Sequence, residues 1–178
     1  QRGWTPPDTE KAVIAGGQPD FKECYFAAPI SIEEELHDEY PEICAQNIWP
    51  KDDQGQAMKI AYMALGKAVH DVGIVLLEGC ASALGLPKTT FTDLIEGAPH
   101  VTRALRYLPL NQSQLGQNIR WGEEHTDFNL LTLLPGGRFI TDDDHPYTPQ
   151  ANSGLFLRAK GTAEFPQGRR VKGGAPAG

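Results

Sequence analysis

The 178-residue sequence has no basic excess, only three cysteines and no uninterrupted apolar run, and each shortage excludes a class of protein. Sixteen Lys and Arg stand against 23 Asp and Glu, a formal net charge of −7. The basic residues are scattered apart from Arg169, Arg170 and Lys172. Such a chain repels phosphate backbones, so nucleic acid is not an expected partner. Cys24, Cys44 and Cys80 cannot all pair within one chain, and no two have the short spacing of a zinc knuckle or a redox pair. Reduced thiols in cytoplasm are the simple reading. The longest apolar stretch, from Ile60 to Leu86, is interrupted by Lys67, His70, Asp71 and Glu78, which argues against a membrane span. No secretory leader is visible.

The size suits one ordinary domain with a sizeable core. Residues 1–29 carry Gly3, Pro6, Pro7, Gly16, Gly17, Pro19 and Pro29 without helical or alternating periodicity, and read as irregular structure lying over something else. Ser31 with Glu34 has the form of a capping box, predicting a short acidic helix to about Glu39 that Pro41 ends. From about Ala57 to Leu84, positions such as Ile60, Ala64, Ala68, Val72, Val75, Leu76 and Cys80 recur at helical spacing. They predict a long helix with that face buried, stopped by Gly85 and Pro87. A shorter helix is expected from a Thr90 cap to Gly97.

Beyond His100 the pattern changes to strands. Val101, Arg103, Leu105 and Tyr107 alternate with Thr102, Ala104, Arg106 and Leu108. Gly122 to Leu134 is a second strand candidate and Leu155 to Arg158 a third. Helices first and strands after predict an α+β arrangement in which the long helix backs a sheet. The expected division is an irregular and helical region over 1–100 and a strand-built core over 101–178.

His125-Thr126-Asp127 is the one local group with metal-site chemistry. In a strand, residues i and i+2 share a face, so an imidazole and a carboxylate would project together. They would form two legs of the 2-His-1-carboxylate set that holds iron(II) on one face and leaves the opposite positions open. The plain alternative is a His and an Asp bonding each other or water on an exposed strand.

The surrounding motifs carry a resemblance. Arg2-Gly3-Trp4 leading to Glu10 and Asp20-Phe21-Lys22-Glu23, then Asn47-Ile48-Trp49-Pro50, then Leu84-Gly85-Leu86-Pro87 come first. Leu105-Arg106-Tyr107-Leu108-Pro109 and His125-Thr126-Asp127-Phe128 with Leu131-Thr132-Leu133-Leu134 follow. In this order they resemble motifs of the isopenicillin N synthase-like iron(II), 2-oxoglutarate-dependent oxygenases.

That resemblance implies a double-stranded β-helix, or jelly roll, backed by helices and incomplete at both ends. It also implies Fe(II), 2-oxoglutarate and O2, with hydroxylation, desaturation or cyclisation of a small-molecule substrate through an iron-oxo species. A few family members dispense with 2-oxoglutarate. His125 and Asp127 would be metal ligands, and Arg106 a contact to the cosubstrate or substrate, with an outward-facing salt bridge as its plain alternative. The family's distal His and its Arg-x-Ser pair lie further along than Gly178, so the chain is expected to be the middle of a longer enzyme.

Other residues carry less. His145, after Asp142, Asp143 and Asp144 and before Pro146, reads as part of a solvated turn rather than a ligand. Glu123 shares the face of His125 and is a candidate for bonding a ligand from behind. His70 and Cys80 read as partners of the long helix, and His37 and His100 have no companion at useful spacing. Two rival functions remain at this stage. One is a jelly-roll scaffold or binding domain without catalysis, and the other is a zinc-dependent hydrolase using the same two residues.

Overall fold

The computed structural model describes residues 2–9, 21–114, 122, 124–127, 129–149, 154–159, 161, 163, 164, 166 and 168–172. Two compact units divide the chain, 1–133 and 134–178. The first holds β1 (Gly3–Thr5), β2 (Lys22–Ala27), α1 (Glu34–Glu39), α2 (Asp53–Ala83) and β3 (Thr102–Tyr107). The second holds β4 (Phe156–Ala159) and β5 (Arg169–Lys172), an antiparallel pair. The architecture is mixed helix and antiparallel sheet, in keeping with the α+β expectation.

Two strands lie where irregular structure is expected. β2 is the centre of an antiparallel sheet in the order β1-β2-β3, with Cys24 opposite Leu105 and Tyr25 opposite Ala104. Its Cys-Tyr-Phe run favours a pleated surface, but six residues among glycines and prolines give too short a period to stand out. The element order is therefore strands, helices and strand, since β3 returns to pair with a strand that precedes both helices.

Asn47 and Trp49 explain the Asn-x-Trp-Pro motif structurally. Ala28 N donates to Asn47 Oδ1 at 2.7 Å, and Asn47 Nδ2 donates to Ala28 O at 2.9 Å. The side-chain amide thus satisfies both backbone groups just beyond the end of β2. Trp49 stacks on Tyr25 at 5.6 Å and meets Tyr62 edge-on at 5.5 Å, tying this segment to sheet and helix together.

α2 begins where Asp52 caps it, accepting from Gly55 N at 2.7 Å. Gly55 is required here, because a Cβ would lie 2.6 Å from Pro50 Cβ. The helix ends as expected. Gly85 at φ 69° allows Leu86 N to reach back to Ala81 O at 2.9 Å, and Gly85 N reaches Ser82 O at 3.1 Å.

The buried face of α2 is not the one that periodicity selects. Gly55, Tyr62, Gly66, Gly73, Leu77 and Ala81 are buried, whereas Ile60 is 72% exposed and Val75 65%. Ile60 and Tyr62 lie two positions apart, roughly 200° round the helix. Close approach decides the choice: a Cβ on Gly66 would lie 2.7 Å from Pro29 Cβ, and one on Gly73 would lie 3.3 Å from Leu133 Cδ1. Side chains larger than glycine cannot occupy those two positions, and Tyr62 and Leu77 fill the same face where it stands further off.

By length and composition α2 is long and apolar enough to cross a membrane, despite the charges noted above. The contacts it makes are those of a helix docked on a sheet. Tyr62 shares its hydroxyl hydrogen between Tyr25 O at 2.7 Å and Thr102 O at 2.9 Å, and its oxygen accepts from Ala104 N at 3.1 Å. Burial pushes the Tyr62 phenol up to about 12.

Three local expectations are corrected. α1 starts at Glu34 with extended Glu33 before it and no side-chain cap, so Ser31 is not the cap. Residues 88–97 form successive turns instead of a helix. The Thr90 hydroxyl donates backward to Pro87 O at 2.7 Å and Thr92 to Thr89 O at 3.1 Å, so neither caps a following turn. The described part of 122–134 belongs to no strand, since neither sheet includes a strand from it. Leu155 to Arg158, by contrast, largely coincides with β4.

Candidate metal site and its surroundings

His125 and Asp127 converge without a ladder to hold them. His125 Nε2 lies 3.1 Å from Asp127 Oδ1, with the side chains 64% and 44% exposed. Thr132 Oγ1 donates to the other carboxylate oxygen at 2.7 Å, and Asn129 Nδ2 donates to that hydroxyl at 3.4 Å. The Thr132 hydrogen bond, followed by His125 and by the more distant Arg103 charge, holds the Asp127 carboxyl below its ordinary value. An ionised carboxylate with one oxygen braced and the other turned to an imidazole is the form a cation requires.

The spacing of the two donor atoms tests the fit to a metal. Ligands about 2.1 Å from an ion stand about 3.0 Å apart along an octahedral edge and about 3.4 Å along a tetrahedral one. The observed 3.1 Å is compatible with either edge and is equally the length of an ordinary hydrogen bond. Among the described residues no group of three His, Cys, Asp or Glu side chains gathers to hold a metal ion, so these two supply only part of a coordination sphere.

Arg106 makes the outward-facing salt bridge that stands as the alternative to a cosubstrate contact. Its Nη1 lies 2.8 Å from Glu23 Oε1, directly opposite on β2, and the side chain is 75% exposed. Trp4 Nε1 donates to the second Glu23 oxygen at 2.9 Å. Arg106 foremost, and then Trp4, hold the Glu23 carboxyl below its ordinary value.

The arginine whose charge acts on Asp127 is Arg103, three positions earlier and so on the other face of β3. Its guanidinium carbon sits 4.7 Å above the Phe26 ring, and Nη2 approaches Cys24 Sγ at 3.5 Å. Strand alternation puts Arg103 on the face with Leu105 and Tyr107. The alternation already separated the two. Thr132 lies in the Leu-Thr-Leu-Leu run after the metal motif, and that position is the one sequence signal for its role.

His145 lies in the second unit within a tight turn. Thr141 N donates to His145 O at 2.8 Å, Asp144 N donates to Thr141 O at 3.0 Å, and Asp144 adopts φ 63°. Glu123 falls outside the described residues.

Among curated proteins the chain is similar to the 2-oxoglutarate-dependent dioxygenase ecdK of Aspergillus rugulosus, 29% identical over 166 residues. The match takes in 82% of this chain and 46% of that protein, so the chain spans about half the length of the relative it matches. The similarity supports the broad family of 2-oxoglutarate-dependent dioxygenases. No protein-family model matches the chain. No solved structure matches it.

Proposed function

We propose that this chain contributes to an iron(II), 2-oxoglutarate-dependent dioxygenase of the isopenicillin N synthase-like type, with His125 and Asp127 as two metal ligands. The observation that supports the reading is the 3.1 Å convergence of imidazole and carboxylate in a chain that over most of its own length is similar to a 2-oxoglutarate-dependent dioxygenase. A jelly-roll core is the fold this reading implies. A third ligand, outside the described residues, completes the set, and the substrate is a small molecule.

Bound iron(II) would supply the open coordination positions at which a 2-oxo acid and oxygen meet. The chain's own residues prepare the ground. Thr132 fixes the Asp127 carboxylate so that one oxygen is free to coordinate. His125 Nε2 and Asp127 Oδ1, 3.1 Å apart, would be the two atoms that hold the ion. Arg106 enters this reading only by exchanging Glu23 for a cosubstrate carboxylate, one charge-assisted bond for another. Reduced cysteines and an acidic surface agree with a cytoplasmic enzyme without nucleic-acid or membrane partners.

Anaerobic addition of iron(II) and 2-oxoglutarate to the protein tests the assignment. A visible metal-to-ligand charge-transfer band is expected, and His125→Ala or Asp127→Ala abolishes it. A band that survives both substitutions removes these residues from the site. Hydrolytic turnover with zinc, and no band with iron, would instead favour the hydrolase.

A further inference from the structure

Packing on α2 brings Arg103 near the metal pair. A Cβ on Gly66 would lie 3.2 Å from Thr102 Oγ1, so Thr102 points at the helix and Arg103, next in β3, projects to the side away from it. Leu133 meets the same face of α2 at Gly73, about two turns and roughly 10 Å further along the helix. Its neighbour Thr132 turns instead to Asp127. The segment that carries the pair therefore passes the beginning of β3, where Arg103 stands.

The guanidinium of Arg103 is held by two residues of β2. Its carbon lies 4.7 Å from the centre of the Phe26 ring, on the residue directly opposite, and Nη2 lies 3.5 Å from Cys24 Sγ. A guanidinium stacked by its face carries its N–H groups round its edge, the geometry that grips a carboxylate. Its charge also acts on Asp127. A fixed positive charge beside a cation site is unfavourable by itself, because it repels a bare divalent ion. That repulsion is offset when the group that joins the ion is itself an anion.

We propose that Arg103 couples the metal to the carboxylate of a 2-oxo acid. The guanidinium weakens a divalent cation held by His125 and Asp127 alone, and the oxo acid's carboxylate, meeting the guanidinium as it joins the cation, removes the repulsion. This coupling rests on the metal reading above and adds a mutual dependence to it. The oxo acid strengthens the hold on the metal, and by reciprocity the metal strengthens the hold on the oxo acid. Arg106, on the opposite face of β3 and paired with Glu23, takes no part.

Manganese(II) serves as the probe in place of iron(II). Its binding to the protein, read from the loss of the free-ion paramagnetic resonance signal at neutral pH and low ionic strength, is measured with and without 2-oxoglutarate. The oxo acid should tighten binding to the wild-type protein about tenfold or more, the worth of a charge-assisted contact. Arg103→Gln should bind manganese alone about three- to tenfold more tightly than wild type, the effect of removing one nearby positive charge at the protein surface. In that variant 2-oxoglutarate should add less than about threefold, since the contact is gone. Arg103→Lys, which keeps the charge, should bind manganese alone as weakly as wild type, and Arg106→Gln should match wild type throughout. An unchanged unfolding midpoint in Arg103→Gln is the check on folding. The coupling is overturned if Arg103→Gln keeps both the wild-type manganese affinity and the wild-type response to 2-oxoglutarate, or if Arg106→Gln reproduces its changes. Manganese binding indifferent to His125→Ala would remove the metal site itself, and the coupling with it.

Discussion

Arg106 and Glu23 face each other across β3 and β2, with Nη1 and Oε1 2.8 Å apart, an outward-facing salt bridge on a guanidinium whose other candidate partner is a cosubstrate carboxylate. Because Arg106 is 75% exposed, the pair contributes at most about 1 kcal/mol to stability. Arg106→Leu and Glu23→Gln should therefore lower the urea midpoint alike and slightly, and leave the 2-oxoglutarate requirement unchanged. A tenfold or greater rise in that requirement with Arg106→Leu alone would place the side chain in the cosubstrate site.

Thr132 braces the outer oxygen of Asp127 at 2.7 Å, a support of the kind whose loss costs about 10- to 100-fold in metal affinity. Thr132→Val should weaken iron(II) or manganese(II) binding within that range while the unfolding midpoint holds. Thr132→Ser should restore it, since the hydroxyl is retained. Equal metal affinity in Thr132→Val would show that the bond does not orient the carboxylate.

Tyr62 joins α2 to two strands through one hydroxyl. Tyr62→Phe keeps the ring contacts with Tyr25 and Trp49 but leaves the Ala104 N–H and two carbonyls short of a partner, a loss of about 1 to 3 kcal/mol. Chemical unfolding should show that decrease, with the aromatic near-ultraviolet signal of Trp49 retained. A change below about 0.5 kcal/mol would mean that water replaces the hydroxyl.

His100 gives the fold a dependence on acid. Its pKa lies below the ordinary 6.5 because of burial and the adjacent His70, so between the folded and unfolded values the unfolded chain binds more protons. Stability from this source is present above pH 6.5 and falls as the pH drops through the lowered folded value. The facing groups are His70, with Glu33, Asp93 and Glu96 around the cavity that both imidazoles line and Asp71 beside His70. His100→Gln should flatten the urea midpoint between pH 7 and pH 5, and an unaltered slope would assign the acid sensitivity elsewhere.

Local chemistry settled those features that depend on a few neighbouring residues. Gly85 and Pro87 stop α2 because a left-handed residue followed by a ring cannot continue a helix. The aspartates before His145 make a turn because short polar side chains support one. The His125-x-Asp127 spacing marks the pair, since residues two positions apart can converge without help from distant parts of the chain. What surrounds them was decided by residues far apart in the chain. β2 becomes a strand because β3, some 80 positions on, supplies the hydrogen bonds that a six-residue run cannot provide for itself. The buried face of α2 follows from how closely Pro29, Thr102 and Leu133 approach its glycines, a distance that hydrophobic periodicity does not contain. His70 and His100, isolated by spacing, meet only because the turns after α2 bring the second ring back against the helix. Arg103 and Arg106 sit on one strand with opposite surroundings, and which of them senses Asp127 depends on the face that β2 and α2 leave to each.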